Sequence, residues 1–282
     1  MPEVIFSDKN LMRVCGSNDH VYAQIKIDNH LTRYMFLDKT TDDAAPDDME
    51  IPLSCTDDPP KSDEGYLYAI YWGPYGKKDI VRCYGEKSLI RMGCPTSVEH
   101  FSISRGYLVI IDADGYIYSR VGDGSWSSNM DSKNHTNSRV ANYMGTYYQS
   151  CSIDYWGSVY IYNGNDDWTK IDGNNYNRDL VAGPGWLMTR YPNGKTWKWH
   201  RDNDSWEALS GSEGDRVAQL VASSRSHVYR LFNDGKIQAH RGGQEWTWVF
   251  DGQSRTTYIS VDDQYLYQVT ADHKAYMHRH AW

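Results

Sequence analysis

Short runs in which apolar or aromatic side chains alternate with polar ones recur along the chain, each bounded by Gly, Asn, Asp or Pro. Tyr107-Leu108-Val109-Ile110-Ile111, Val228-Tyr229-Arg230-Leu231-Phe232 and Tyr265-Leu266-Tyr267-Gln268-Val269 precede a turn. Tyr116-Ile117-Tyr118-Ser119-Arg120, Ser158-Val159-Tyr160-Ile161-Tyr162 and Thr196-Trp197-Lys198-Trp199-His200 follow one. A period of two in β-branched and aromatic residues puts alternate side chains on opposite faces of a strand. The turns read Asp114-Gly115, Trp156-Gly157, Asn193-Gly194, Asp234-Gly235 and Asp272-His273; Gly, Asn and Asp tolerate the positive φ of a tight hairpin. A third run leads into each hairpin, as in Val98-Glu99-His100-Phe101-Ser102-Ile103 or Thr257-Tyr258-Ile259-Ser260-Val261. A fourth starts at a tryptophan, as in Trp168-Thr169-Lys170-Ile171 or Trp206-Glu207-Ala208-Leu209. Four antiparallel strands in about forty residues predict one blade of a β-propeller.

Trp126, Trp168, Trp206, Trp246 and Trp282 are spaced by 42, 38, 40 and 36 residues. The more diverged first third keeps step, with a turn near Gly73-Pro74-Tyr75-Gly76 and another near Asp28-Asn29, each flanked by strand-like runs. Turns near positions 28, 75, 114, 156, 193, 234 and 272 make seven units in 282 residues. The expected fold is all-β: a seven-bladed β-propeller of four-stranded antiparallel blades, with residues 1–282 forming a single domain. The last unit stops at Trp282, where its outer strand should begin, and the chain opens on the apolar Val4-Ile5-Phe6. Pairing this N-terminal strand into the last blade closes the ring and removes two exposed edges. Residues 40–49 (with Asp42, Asp43, Asp47 and Asp48) and 56–65 break the rhythm and read as acidic, solvated loops.

Composition sharpens this picture. Tyr and Trp number 23 and 11 against 5 Phe, and their apolar bodies with polar tips suit half-buried strand faces and binding surfaces. A formal net charge of −8 speaks against nucleic acid or anionic lipid as the partner, since both need clustered Lys and Arg. No apolar run reaches the roughly eighteen residues that span a bilayer, and Met1-Pro2-Glu3-Val4-Ile5-Phe6 lacks a signal-peptide pattern. A cytoplasmic protein without membrane insertion is expected. The five cysteines, Cys15, Cys55, Cys83, Cys94 and Cys151, are widely spaced and read as free, mostly buried thiols. The sequence holds no His-Glu-x-x-His, no Gly-x-Ser-x-Gly, no phosphate-binding Gly-rich loop with Lys and no clustered Cys/His ligands. No catalytic residue, cofactor or metal is therefore expected. Asp112-Ala113-Asp114-Gly115 resembles the start of a calcium loop but falls on a hairpin turn and lacks the later acidic ligands.

Aligning the units on their turns yields two columns in the following strand. The first holds Arg33, Arg82, Tyr118, Tyr160, Trp197, Gln238 and Tyr276. Two residues on, hence on the same face, stand Met35, Tyr84, Arg120, Tyr162, Trp199, His240 and His278. One reading is packing between blades, where each sheet must bury both faces. The other is a set of clefts, each offering a ring to the C–H face of a sugar and polar groups to its hydroxyls. On that reading Tyr118, Arg120, Tyr160, Tyr162, Trp197, Trp199, Gln238, His240, Tyr276 and His278 contact the ligand. Arg139, Arg178, Arg216 and Arg255, spaced by 39, 38 and 39, each lead into the first strand of a unit, with Asp131, Asp172 and Asp251 nearby. A guanidinium fork suits a carboxylate, so these are either Arg–Asp clasps between blades or ligand clamps. Trp72, Trp156 and Trp186 sit at turns or strand starts and are candidate platforms, Trp186 equally a core residue.

The stretch from Trp168 to Trp206 runs Trp, Ile171-Asp172-Gly173, Leu180-Val181-Ala182-Gly183-Pro184-Gly185, Asn193-Gly194, Trp. This order is similar to the repeat of the tectonin and tachylectin-type propeller lectins, and the likeness covers residues 98–282. The Gly-His and Trp-Asp marks of WD40 repeats and the paired glycines of kelch repeats are missing. The resemblance implies a soluble, non-enzymatic lectin of recognition or defence, binding glycans or glycoconjugates at repeated blade junctions. Several weak sites on one ring gain avidity through effective concentration. Two other classes stay open at this stage: an intracellular scaffold that binds protein partners on one rim, and an enzyme with its site in a central channel.

Overall fold

The computed structural model describes residues 3–16, 19–27, 32–39, 47–51, 61–63, 66–72, 76–84, 89–127, 137–143, 149–154, 156–164, 167–172, 177–183, 186–209, 217–222, 227–241, 246–250, 255–262 and 264–280. After β1 (Glu3–Ser7), the strands β2 (Leu11–Gly16), β3 (His20–Lys26), β4 (Thr32–Asp38) and β5 (Asp47–Ile51) form a first antiparallel sheet. β6 (Lys61–Asp63), β7 (Tyr66–Trp72), β8 (Lys78–Tyr84) and β9 (Ile90–Arg91) form the second. β10 (Val98–Ser104), β11 (Tyr107–Asp112) and β12 (Ile117–Val121) form the third. The fourth holds β13 (Asn137–Tyr143), β14 (Gln149–Asp154), β15 (Val159–Gly164) and β16 (Asp167–Asp172). The fifth holds β17 (Asp179–Gly183), β18 (Trp186–Arg190), β19 (Thr196–His200) and β20 (Ser205–Ala208), with a 3-10 turn at Arg201–Asn203. β21 (Val217–Ala222), β22 (His227–Phe232), β23 (Ile237–Arg241) and β24 (Thr247–Phe250) form the sixth. β25 (Thr256–Val261), β26 (Tyr265–Thr270) and β27 (Lys274–Arg279) join β1 in the seventh, ordered β1-β27-β26-β25. The described residues are thus all-β and antiparallel, and none of their helices is long and apolar enough to cross a membrane.

β1 pairs with β27 through Glu3↔Met277, Val4↔Tyr276, Phe6↔Ala275 and Ser7↔Lys274, with a bulge between Val4 and Phe6. Ile5 and Phe6 are buried there. Two departures from the sequence reading lie in the acidic segments. Asp47–Ile51 is not a loop but pairs with β4 through Arg33↔Glu50 to Phe36↔Asp47, and Lys61–Asp63 pairs with β7. Strand pairing is made by backbone groups, so polar side chains do not prevent it at a sheet edge.

One hairpin recurs in the third to seventh sheets between the second and third strands. The amide of its fourth residue donates to the carbonyl of its first: Gly115 to Asp112 (3.1 Å), Gly157 to Asp154 (3.0 Å), Gly194 to Tyr191 (2.9 Å), Gly235 to Phe232 (2.9 Å) and His273 to Thr270 (2.9 Å). The donor residue has positive φ in every copy, from 60° at His273 to 91° at Gly157. This is a type I turn closed by a left-handed residue. Asp112 and Asp154 cap their own turns, accepting from the amides of Tyr116 (2.9 Å) and Ser158 (2.8 Å). The Asp112-Ala113-Asp114-Gly115 motif is spent on this capping.

The chain forms two compact units, Met1–Ser97 with Gly252–Trp282, and Val98–Asp251. In the second unit, Tyr107, Val109, Ile111 and Ile117 of the third sheet pack against Tyr160 and Trp168 of the fourth. Ile153, Val159 and Ile161 of the fourth pack against Leu187 and Trp199 of the fifth. Trp186 and Met188 of the fifth pack against Val228 and Trp246 of the sixth. Each aliphatic side chain so buried contributes roughly 1.5–3 kcal/mol.

In the first unit, Tyr267, Val269 and Ala275 of the seventh sheet meet Val21, Ala23 and Ile25 of the first, while Cys15, Tyr22, Tyr34 and Phe36 of the first meet Leu67, Ala69, Val81 and Cys83 of the second. Gly16 is required at the first of these junctions, because a Cβ there would overlap the ring of Tyr267. The Tyr267 hydroxyl donates to Asp262 (2.5 Å), which also accepts from the buried Lys39 ammonium (3.0 Å). Cys15, Cys83 and Cys94 are free and buried, and burial pushes the Cys83 thiol up to about 12. Cys55 and the side chain of Cys151 lie outside the described residues.

Candidate functional site

In the fourth, fifth and sixth sheets the two aligned columns fall on the face turned toward the preceding sheet of the same unit. Tyr160 is buried there, its hydroxyl donating to Asp154 (3.2 Å), and Tyr162 packs on Trp168 with ring centroids 5.1 Å apart. Trp199 is buried, its indole N–H donating to Asp204 (3.0 Å). Gln238 and His240 are buried in the junction of the fifth and sixth sheets. Gln238 accepts from Nε of the fully buried Arg230 (2.8 Å), whose guanidinium lies 4.2 Å from the Trp246 ring. Burial, and then the charge of Lys198, lowers His240 to about 4.

Trp197 is half-buried, its ring 6.0 Å from that of Tyr191. Tyr118 and Arg120 are half-buried on β12, and burial with the nearby Asp112 charge raises the Tyr118 hydroxyl. Tyr276 and His278 are half-buried on β27; His278 Nε2 lies 2.8 Å from Oε1 of Gln268, and burial lowers this imidazole to about 4. Arg82 does not share the face of the other column members: at β8 Val81 and Cys83 pack against the first sheet, while Tyr84, at the strand's end, meets His20 of that sheet edge-on at 4.7 Å.

The arginine column is less uniform. Arg178 is exposed, and its amide donates to Arg190 O (2.8 Å). Arg255 is exposed and accepts at its carbonyl from Ala271 (2.8 Å). Arg139 lies on β13 with Ile153 as its partner in register. The Arg139 side chain, Arg216, Asp131 and Asp251 lie outside the described residues. Asp172 accepts from Asn177 (2.9 Å) and from the Tyr191 hydroxyl (3.4 Å). A clasp that sequence alignment did not reveal is Arg190, which donates to Asp179 on the adjacent strand and to the carbonyl of Val217 (3.1 Å) at the start of the next sheet.

The residues most open to a ligand lie at the recurring hairpins. Trp156, at the third position of the fourth sheet's hairpin, is 67% exposed, and Trp248, beside the sixth sheet's hairpin, is 49% exposed. Trp248 rests 5.3 Å from the Phe232 ring and 5.7 Å from the Lys236 ammonium. Tyr116 and Tyr191 are the half-buried aromatics at the hairpins of the third and fifth sheets. The hairpins of the fourth to sixth sheets share one side of their unit. Asn177, just ahead of β17, bonds the Gly157 carbonyl, and Arg190, at the fifth sheet's hairpin, bonds Val217 at the start of β21. Trp248 was not singled out from the sequence; the available signal was a second tryptophan beyond the repeat mark Trp246. In the other unit, a groove of about 580 Å³ is lined by Asp8, Lys9, Asn10, Ile25, Ile27 and Arg33, with Arg33 held to Asp8 at 2.9 Å.

No protein-family model and no curated protein matches the chain. Among solved structures it is similar over 100% of its length to YCF48 bound to D1 peptide, with TM-score 0.67, 13% identity and 95% of that chain covered. It is similar over 97% of its length to the WD40 β-propeller domain of Doa1, with TM-score 0.68, 12% identity and 94% coverage. It is similar over 100% of its length to a catalytically inactive virginiamycin B lyase from Staphylococcus aureus with quinupristin, with TM-score 0.72, 9% identity and 99% coverage. At such identities the likeness carries the fold alone, and that fold is the β-propeller.

Proposed function

We propose that this chain is a non-enzymatic glycan-binding propeller whose ligands lie on the hairpin side of its sheets. The observation that supports this reading is the exposure of Trp156 and Trp248 at hairpins of one unit, 67% and 49%. An exposed indole is available to stack on a ligand, and the C–H face of a sugar ring fits it. Hydrogen-bonding groups stand beside these rings, including Lys236 next to Trp248 and the exposed Arg178 in the segment that bonds the Trp156 hairpin. The blade-junction columns serve packing on this reading, and the ligand surface is the rim. Each shallow site binds weakly, and several on one molecule give avidity.

The same reading takes the seven sheets as seven blades of one ring, closed by β1 on β27. Deleting residues 3–7 then lowers the melting temperature sharply; an unchanged value contradicts closure. For function, the labelled full chain is applied to an array of immobilised glycans and tested for agglutination of red cells. Binding to a defined glycan class with agglutination supports the proposal, and a blank array with no agglutination overturns it.

A second reading, docking of a protein segment on the same rim, is favoured by the likeness to YCF48, a protein solved with a bound peptide. It is distinguished by a blank array together with saturable peptide binding that Trp156→Ala or Trp248→Ala weakens.

A further inference from the structure

We infer that Trp156 and Arg178 form one defined subsite for a neutral pyranose ring, with Trp156 as its stacking face and Arg178 as its hydroxyl donor. This rests on the glycan reading above and names one site within it. The argument begins with the hairpin, because its five copies show what the turn itself requires. The third position is Asp114, Trp156, Asn193, Asp234 and Asp272 in turn. In three copies that residue's own side chain caps the turn. Asn193 accepts from the Lys195 amide (3.1 Å), Asp234 from the Lys236 amide (3.2 Å), and Asp272 from the Thr270 hydroxyl (2.6 Å).

In the Trp156 copy the cap is supplied two residues earlier, by Asp154 to the Ser158 amide. The third position is thereby released from its structural duty. Asp112 does the same in its copy, yet there the third position remains Asp114. A Trp at this position is therefore not demanded by the turn, and at 67% exposure it contributes little to a core.

The hairpin that presents it is held firmly. Gly157, the next residue, takes φ 91° and its amide closes the turn. Its carbonyl accepts both the side-chain amide (2.7 Å) and the backbone amide (3.3 Å) of Asn177. Asn177 also donates to Asp172, which accepts from Tyr191. This bonding brings the segment ahead of β17 against the hairpin, so the exposed Arg178 stands one residue beyond the contact on one side, as Trp156 does on the other.

A hairpin backbone so held has little freedom left to lose on binding. The planar guanidinium supplies several donors to adjacent hydroxyls. Asp154 and Asp172 are buried at the same hairpin junction, so carboxylates already stand behind this face and repel a further anion. The site thus favours a neutral sugar over one carrying a carboxylate or sulfate.

The test uses the full chain and its Trp156→Ala, Trp156→Phe, Arg178→Ala and Ile90→Ala variants, with methyl glycosides of the common neutral hexoses and N-acetylhexosamines as probes, followed by calorimetry and by the array. Trp156→Ala is expected to lower affinity for the preferred glycoside at least about tenfold, with the melting temperature unchanged. Trp156→Phe should keep most of the affinity, Arg178→Ala should lose part of it, and Ile90→Ala, at an exposed position on β9, should leave this affinity unchanged. Unaltered glycoside affinity in Trp156→Ala, or binding of acidic glycosides alone, overturns this site while array binding preserves the wider glycan reading. A blank array together with no glycoside binding overturns both.

Discussion

Asn177 donates its side-chain amide to the carbonyl oxygen of Gly157 at 2.7 Å, tying the segment ahead of the fifth sheet to the hairpin of the fourth. Both residues are buried, so the bond is shielded from competing water. Asn177→Ala removes this bond and the one to Asp172, leaving acceptors buried. The expected cost is about 1–3 kcal/mol, read as a lower urea midpoint with an unchanged slope. A midpoint within error of the parent contradicts this role for Asn177.

The recurring hairpin gives a pair of substitutions with opposite signs. Gly235 has φ 89°, and Gly235→Ala forces a Cβ into that conformation at a cost of about 1–2 kcal/mol. His273 occupies the same position with φ 60°, so His273→Gly should relieve strain and stabilise by up to about 1 kcal/mol. Thermal and urea unfolding of the two variants measure both shifts. A stabilised Gly235→Ala would contradict the shared geometry.

These hairpins were the most legible part of the sequence because their conformation forces a small set of residues, and Asp114-Gly115, Asn193-Gly194 and Asp234-Gly235 announce it directly. The strand runs around Tyr107–Asp112 and Tyr265–Thr270 were legible as short β-branched and aromatic runs bounded by turns, and they are buried on both faces. Less legible was anything that depends on the backbone alone. Asp47–Ile51 pairs as a strand despite a polar composition, since side chains carry little information about an edge. Register was lost at β8. The first pair flanking that hairpin is Trp72↔Lys78, so the position equivalent to Tyr118 is Asp79. Placing Arg82 there shifts the alignment by an odd number of residues and turns every side chain to the other face.

For the site, the repeating aromatics were visible but their burial was not. A half-polar aromatic column suits a wet cleft and a dry junction equally, and Tyr160, Trp199, Gln238 and His240 proved to be buried. Trp156 had been visible as the residue that breaks the turn pattern.

Two histidines make stability depend on pH. Burial lowers both His240 and His278 to about 4, against 6.5 for an ordinary imidazole. Above 6.5 both are neutral in the folded and the unfolded chain, and they contribute no pH dependence. As pH falls from there toward 4, the unfolded chain takes up the protons first, so stability falls by roughly 3 kcal/mol per histidine across the window. Urea midpoints measured at about pH 7 and about pH 4.5 should therefore decline, and His240→Gln should flatten that decline. The same slope in parent and variant would show that His240 is not buried as neutral imidazole.

The central claim, that the hairpin rim and not the blade junctions holds the ligand, is tested most directly by following indole N–H resonances of the 15N-labelled chain while adding the glycan that binds best on the array. Trp156 and Trp248 should shift saturably, with Trp168, Trp186 and Trp199 unmoved. Shifts confined to those junction tryptophans, or no shift in any indole at saturating glycan, would contradict the account.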